Sequence, residues 1–152
     1  MSEIRYHKRH EAYIDAVADA LRKGGFEVLD WYADPNDPRD GAIRITPCGR
    51  WDDYADVFIG WQEERRWTAV PYRHGRDGLQ AAMVANLTWS GAPIATVASP
   101  STVAEAVAEL LDVPWAGLPD GHPDVDFPDH VQEDEENPEL EAALLRYAEV
   151  PA

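Results

Sequence analysis

Hydrophobic residues recur at helical spacing in three parts of the chain. The first, residues 9–23, has its apolar side chains on one face and is followed by Gly24-Gly25, which suits a helix end. The second, residues 101–111, follows a choice of Ser and Thr N-caps. The third, residues 137–149, begins with an Asn-Pro pair, which is typical of a helix start. Its apolar stripe consists of Leu140, Leu144 and Tyr147.

Segments with the composition of β-strands lie between the first two helices. Turn-rich stretches separate them, and this favours an antiparallel meander. If residues 62–66 form a hairpin loop, Trp61 lies opposite Trp67 on one face of the sheet. On the other face Phe58 then lies opposite Val70, so both faces are apolar and we expect each to be covered. The four predicted strands are residues 26–32, 42–47, 54–61 and 66–72.

Residues 75–98 leave two alternatives open, a short helix after Asp77 or a fifth strand over residues 92–98. The predicted fold class is α+β, with a four- to five-stranded antiparallel meander flanked by the N-terminal helix and the helix near residues 101–111. An acidic C-terminal extension ends in a short helix. We expect a domain over residues 1–115, an acidic Pro-rich linker over 116–136 and an amphipathic helix over 137–149.

Composition bounds the class of protein. A chain of 152 residues, 45% of them hydrophobic, suits a single globular domain. The N-terminus lacks the apolar stretch of a signal peptide and no window is apolar enough to span a membrane, which predicts a soluble, cytoplasmic protein without a membrane partner. Cys48 is the only cysteine, so neither an internal disulfide nor a cysteine zinc site can form.

The net charge of −16 is concentrated near the C-terminus. Residues 112–152 hold 12 acidic side chains and one basic side chain, Arg146. Such a field repels phosphates, which predicts no direct binding of nucleic acid, and it favours a basic protein partner. The alternative is that the acidic tail only aids solubility.

The third helix also has two alternatives, docking on its own domain or binding another protein in a groove. In the second case charge attracts the partner and the apolar stripe makes the buried contact. The predicted partner-binding residues are Glu133, Asp134, Glu135, Glu136, Leu140, Leu144 and Tyr147.

Signatures of catalysis and of metal binding are absent from the sequence: it has no nucleophile elbow, Walker A loop, dinucleotide fingerprint or zinc-protease motif. We therefore predict no catalytic residue and no cofactor. The His122–His130 cluster is interpreted as a solvated linker and the loop around Asp34, Asp37 and Asp40 as a rigid turn, which predicts no metal. The tryptophans allow a further hypothesis, a ligand pocket lined by Trp31, Trp51 and Trp89.

Several short motifs over residues 13–112 carry a family resemblance. They are Tyr13-x3-Val17-x3-Leu21, Gly25, Asp34-Pro35, Asp37-Pro38-Arg39-Asp40, Trp61 with an acidic turn to Trp67, and Ser99-Pro100 before Val103-Ala104. With these motifs the chain resembles a family of small uncharacterised actinobacterial proteins that share a domain of unknown function. Eleven Arg against two Lys fits a GC-rich genome. The resemblance implies no activity.

The leading functional hypothesis is a non-enzymatic interaction or regulatory module that binds a basic protein, in the manner of an inhibitor or immunity protein. It follows from the segregated charge and the missing catalytic motifs. The alternative is a domain that binds a small molecule or peptide, or an enzyme, using the aromatic pocket.

Overall fold

The computed structural model describes residues 4–36, 38–131 and 137–148, which form three α-helices and eight strands. The predicted α+β class and antiparallel meander are confirmed. None of the described helices is long and apolar enough to cross a membrane. The helices are α1 (Glu11–Lys23), α2 (Pro100–Leu111) and α3 (Pro138–Leu145). The strands are β1 (Val28–Asp34), β2 (Asp40–Ile45), β3 (Asp56–Gln62), β4 (Arg66–Gly75), β5 (Gly78–Ala81), β6 (Ala85–Asn86), β7 (Thr88–Trp89) and β8 (Ala92–Pro93).

The main sheet has six strands in the order β1-β2-β3-β4-β5, and β6 also pairs with β4. All neighbours are antiparallel, as short connections require. The register of the central hairpin agrees with the sequence: Trp61 lies opposite Trp67, and Phe58 lies opposite Val70. Strands β7 and β8 form a separate small hairpin.

One face of the sheet, the inner face, is covered by α1. The helix buries its apolar stripe there, with Tyr13 at the centre of the contact. The ring of Tyr13 meets the rings of Trp61 and Trp67 edge-on, and the Trp67 indole N–H donates to the Tyr13 hydroxyl at 3.1 Å. This hydrogen bond satisfies the indole N–H of Trp67 inside the core.

Helix α2 packs beside α1 and begins with the capping that the sequence predicts. The Ser99 hydroxyl accepts a hydrogen bond from the backbone N–H of Thr102 at 3.2 Å, and Pro100 occupies the first turn. Asp112 closes the other end in a left-handed conformation with φ 55°. Because α2 packs beside α1, the expectation that both faces of the sheet are covered is wrong. In the part of the chain that the structure describes, Phe58 and Val70 are only half-buried and line an open groove.

Residues 75–98 form extended structure, so the short helix after Asp77 is wrong. Strand β4 continues to Gly75 and turns through Gly78, which has a φ of +107° that favours glycine, into β5. The predicted fifth strand over residues 92–98 is reduced to the two residues of β8. Hairpin pairing thus overrides the helical spacing of the apolar residues here.

Of the predicted linker, residues 116–136, the structure describes the part up to residue 131, which runs along the domain and hydrogen-bonds with it. Val97 and Val125 form an antiparallel bridge with backbone hydrogen bonds of 2.9 and 3.1 Å. Three carboxylates accept backbone N–H groups at distances of 2.8 to 3.0 Å: Asp126 from Thr96, Asp124 from Ser99 and Asp120 from Ser101. Independent folding of residues 1–115 stays a prediction, but these bonds and α3 join the later part of the chain to it.

Candidate functional site

The apolar stripe of α3 lies inside the domain. Leu140 and Leu144 are fully buried, and Tyr147 packs against the rings of Tyr13 at 5.0 Å and His122 at 4.9 Å. The structure therefore has the docked alternative for this helix, and the partner-binding role predicted for Leu140 and Leu144 requires exposure that they do not have. Of the other predicted partner-binding residues, Glu133, Asp134, Glu135 and Glu136 lie outside the described residues.

A buried ion network fixes α3 to the sheet. The guanidinium of Arg39 has no exposed surface; it donates to Glu63 at 2.5 Å and to both carboxylate oxygens of Glu141 at 2.8 and 2.6 Å. It also lies 3.8 Å from the centre of the Tyr6 ring. Burial acts to lower the pKa of Arg39, but the bonds with Glu141 and Glu63 outweigh it and raise this pKa. Because its donors are satisfied within the domain, we assign this network to stability.

His10 is fully buried beside the same hairpin. Its Nε2 lies 2.8 Å from the carbonyl oxygen of Asp34 and 3.0 Å from that of Asp40, and its ring stacks on Trp61 at 5.7 Å. Burial lowers the pKa of His10 even though the two carbonyls oppose that effect. The imidazole is therefore held neutral and positions the ends of β1 and β2.

The other face of the sheet carries a concave, partly apolar surface that we call the outer groove. It has a volume of about 340 Å³. Ala42 and Gly60 are cross-strand neighbours whose small size makes the floor low, while Phe58 and Tyr72 meet edge-on at 5.3 Å beside it. Val84, at the rim, is 68% exposed. The residues that define the outer groove are Tyr32, Ala42, Phe58, Gly60, Val70, Tyr72 and Val84.

Two carboxylates lie directly opposite each other at one end of this groove. Asp34 and Asp40 are paired in the β1–β2 ladder, and Asp40 lines the groove. Burial raises the pKa of Asp40, and the neighbouring charge of Asp34 raises it further. Neither carboxylate forms an ion pair within the described residues. A like-charged pair of this kind is unfavourable in a sheet and attracts a cation.

Two arginines on the same face, Arg44 and Arg66, already have carboxylate partners. Arg44 lies 3.1 Å from a carboxylate oxygen of Asp30 and 3.0 Å from one of Asp56. Arg66 forms two bonds of 2.8 Å with Asp126. The exposed Arg65 also lines the groove. Among the described residues, the Asp34–Asp40 pair thus has no salt bridge beside the apolar floor, and Arg65 lines the same groove.

The three tryptophans of the predicted pocket belong to three different elements. Trp31 is half-buried in β1, Trp51 is buried against Tyr54 at 6.1 Å, and Trp89 is 43% exposed in β7. Among the described aromatic residues, no ring contact joins any two of these three. The outer groove is lined by other aromatic side chains.

Candidate metal ligands are also dispersed. Within residues 4–36, 38–131 and 137–148, no three His, Cys, Asp or Glu side chains are grouped to hold a metal ion. In the segment from His122 to His130, the carboxylates of Asp124 and Asp126 accept hydrogen bonds from the domain instead. Bonds from Arg66 hold the pKa of Asp126 well below its usual range, although burial acts against them. Asp37 of the predicted rigid turn lies outside the described residues.

Neither the outer groove nor the buried ion network of Arg39 was predicted from the sequence. The outer groove depends on which face the helices cover, and this follows from tertiary packing. The one available signal was the apolar outer side of the hairpin, formed by Phe58 and Val70. For the ion network, the signal was that Glu141 falls on the same side of α3 as Leu140 and Leu144.

The fold and the groove describe a small α+β protein with one open sheet face. Residues 13–109 match the model of a family of unknown function, DUF6292. Because this match covers more than half of the chain, the protein belongs to that family. No curated protein and no solved structure matches the chain.

Proposed function

We propose that this protein is a non-enzymatic interaction module that binds a basic segment of a partner protein in the outer groove. The observation that carries the proposal is the position of the Asp34–Asp40 pair at the end of an apolar, open sheet face. The partner segment supplies an Arg or Lys to the two carboxylates and an apolar side chain to the groove. Covering a basic surface in this way is the action of an inhibitor or immunity-type protein.

The two parts of the groove have different roles in binding. Aromatic side chains such as Tyr32, Phe58 and Tyr72 supply contact area at small entropic cost and are typical of interface hot spots. The carboxylate pair gives specificity, since a cation between Asp34 and Asp40 removes the repulsion between them. An acidic partner segment would add to that repulsion.

Charge outside the groove acts at longer range. The net charge of −16 favours approach of a basic protein, and the acidic residues 133–136 add to the attraction in this proposal. These acidic residues contribute to the rate of encounter and not to a buried contact, because Leu140 and Leu144 of α3 are buried in their own domain.

A peptide-display selection tests where and what the protein binds. A random peptide library is selected on the immobilised full chain, and the recovered peptides are measured against wild type and against a double variant, Asp34→Asn with Asp40→Asn. The matched control is Asp52→Asn with Asp53→Asn, which removes two exposed acidic charges from a loop outside the groove. We expect recovered peptides to combine Arg or Lys with large apolar residues.

The groove variant is expected to weaken binding at least about tenfold, which corresponds to about 1.4 kcal/mol. The control is expected to bind within about twofold of wild type. Equal losses in the two double variants would show that only total charge matters, and selection of acidic peptides would contradict the proposal directly. Perturbed amide resonances of Gly60 and Thr68, which line the groove, are the expected sign of the binding site.

We also infer a cytoplasmic location and an actinobacterial source for this chain. A single cysteine supports a reducing compartment, and the excess of Arg over Lys supports a GC-rich genome. Fractionation of a native host with an antibody against the chain tests the location.

A further inference from the structure

A second cleft, separate from the outer groove, lies between α1, the start of α2 and residues 115–122. Its volume is about 490 Å³, which is in the range of small-molecule pockets. The walls that matter here are Ala16 and Ala20 of α1, the indole of Trp115 and the side chain of Leu118. Leu118 is 83% exposed, so it forms part of the cleft mouth without being needed in the core.

Small residues keep this cleft open and its indole wall in place. Ala16 and Ala20 lie one helical turn apart, so two short side chains face the same space. A Cβ at Gly24 would come within 2.6 Å of the Trp115 ring, and one at Gly117 within 2.7 Å. The backbone N–H of Ala116 donates to the carbonyl oxygen of Gly24 at 3.1 Å. The ring therefore packs between Gly24 and Gly117, and a backbone hydrogen bond of the next residue, Ala116, joins this segment to the end of α1.

The indole N–H of Trp115 is buried and has no hydrogen-bond partner within the described chain. A buried donor without a partner costs about 1–3 kcal/mol. The Nε1 atom lies beside Gly24 and Gly117, and Trp115 lines the cleft. An acceptor oxygen that reached this N–H from the cleft would remove that cost.

Charged groups at the rim are engaged with one another. Lys23 lies 2.8 Å from a carboxylate oxygen of Asp19. The carboxylate of Asp120 accepts the backbone N–H groups of Ser101 and His122, both at 2.9 Å. An anionic ligand would meet two carboxylates and one lysine that is already paired, and a cation would find both carboxylates occupied. The rim therefore favours an uncharged ligand.

We infer that this cleft is a binding site for an uncharged, mainly apolar small molecule with a carbonyl or similar acceptor oxygen, which accepts the Trp115 N–H. The site does not depend on the outer groove, so the two proposals fail separately.

The test uses prodan, a neutral naphthalene ketone whose emission shifts to the blue in an apolar site, titrated against the full chain. Saturable binding with a blue shift is expected. Ala16→Phe, which fills the cleft, should weaken it at least tenfold. The matched control is Ala12→Phe, one turn earlier on α1 at a half-buried position outside the cleft, which should leave the affinity unchanged. Thermal unfolding of both variants checks that each is folded.

A second variant tests the hydrogen bond independently of the volume of the cleft. Trp115→Phe keeps a ring but removes the N–H, and we expect it to weaken prodan binding about 2- to 12-fold, the range for one hydrogen bond. N,N-dimethyl-2-naphthylamine, which lacks the ketone, should not be affected by this variant. Absence of saturable binding, or equal binding by wild type and Ala16→Phe, would overturn the inference. A tenfold gain in prodan affinity on deleting residues 149–152 would also overturn it, since those residues would then compete with the ligand for the cleft.

Discussion

The guanidinium of Arg39 has no contact with solvent and five N–H donors to satisfy. Its Nε bonds with Glu63, its Nη1 with Glu141 and the carbonyl of Tyr6, and its Nη2 with Glu141. A buried charge of this kind is costly alone and stable only as a set with its partners. Single changes in the set should therefore be more harmful than their joint removal.

Arg39→Leu is expected to lower the free energy of unfolding by about 3–5 kcal/mol, because it removes the cation that two buried carboxylates share. Among the described residues, Glu63 then has no arginine partner, and Glu141 keeps only Arg9, at 3.3 Å. Urea denaturation measures the loss. Combining it with Glu63→Leu and Glu141→Leu should recover much of the stability. Arg44→Leu, which removes an ion-paired but largely exposed arginine, is the control and should have a much smaller effect. Equal losses of unfolding free energy in Arg39→Leu and Arg44→Leu would contradict the conclusion that burial makes Arg39 important for stability.

His10 makes stability depend on pH. Its pKa is lowered in the folded protein, mainly by burial, whereas an unfolded histidine has a pKa of about 6.5. The unfolded chain then binds more protons, so the contribution of neutral His10 is complete above about pH 6.5 and is lost as the pH falls toward its folded-state pKa. Unfolding by urea at pH 7.5, 6.5 and 5.5 measures this slope. His10→Gln should flatten it, whereas His74→Gln, at an exposed position, should leave it unchanged.

Helix α3 is part of the core, although it comes after a stretch that the structure does not describe. Leu144→Ala is expected to lower the free energy of unfolding by about 2–5 kcal/mol, since it leaves a cavity at a fully buried position. Chemical denaturation checks the value. Leu118→Ala removes the same atoms from an exposed side chain and should change stability little. A loss below 1 kcal/mol at Leu144 would show that α3 is only loosely attached.

Local rules predicted the elements whose partners are near in sequence. The loop of residues 62–66 and the alternation of apolar side chains specify the pairing of Phe58 with Val70, and the Ser-Pro cap specifies where α2 begins. They failed at β5, where apolar residues at helical spacing instead pair with an extended β4. They also described residues 116–136 by composition as linker, because nothing local reveals that Asp124 and Asp126 bond to a segment about 25 to 30 residues away.

The candidate sites were less predictable than the elements. The Arg39–Glu141 pair joins residues 102 positions apart, and the outer groove lies on the sheet face opposite α1, against which α2 packs. Neither fact follows from periodicity. The acidic composition did indicate a cationic partner, and the Asp34–Asp40 ladder pair gives that hypothesis a location.

At the scale of the whole molecule, the proposed function assigns the charge of −16 mainly to encounter with a partner. Replacing Glu133, Asp134, Glu135 and Glu136 by Gln should lower the association rate of a groove-binding peptide and reduce its dependence on salt, since screening lengths are about 8 Å at physiological ionic strength. Stopped-flow rates at several salt concentrations measure both. Neutral substitutions at Glu11, Asp15, Asp52 and Asp53 remove the same number of acidic groups as a control. A rate indifferent to the first set of changes would leave solubility as the explanation for the tail.

The distance along the chain between Arg39 and Glu141 has a consequence for synthesis. At about 5–20 residues per second, a ribosome needs about 5–20 s to make the 102 residues that separate them. During that interval the hairpin that carries Arg39 has emerged, but the carboxylate that completes its surroundings has not been made. Until Glu141 is made, Arg39 lacks part of its hydrogen-bond partners, and burial of its guanidinium in the core is unfavourable. A chain that ends before Glu141 would lack this partner of Arg39, so we expect its hairpin to be less stable than that of the full chain.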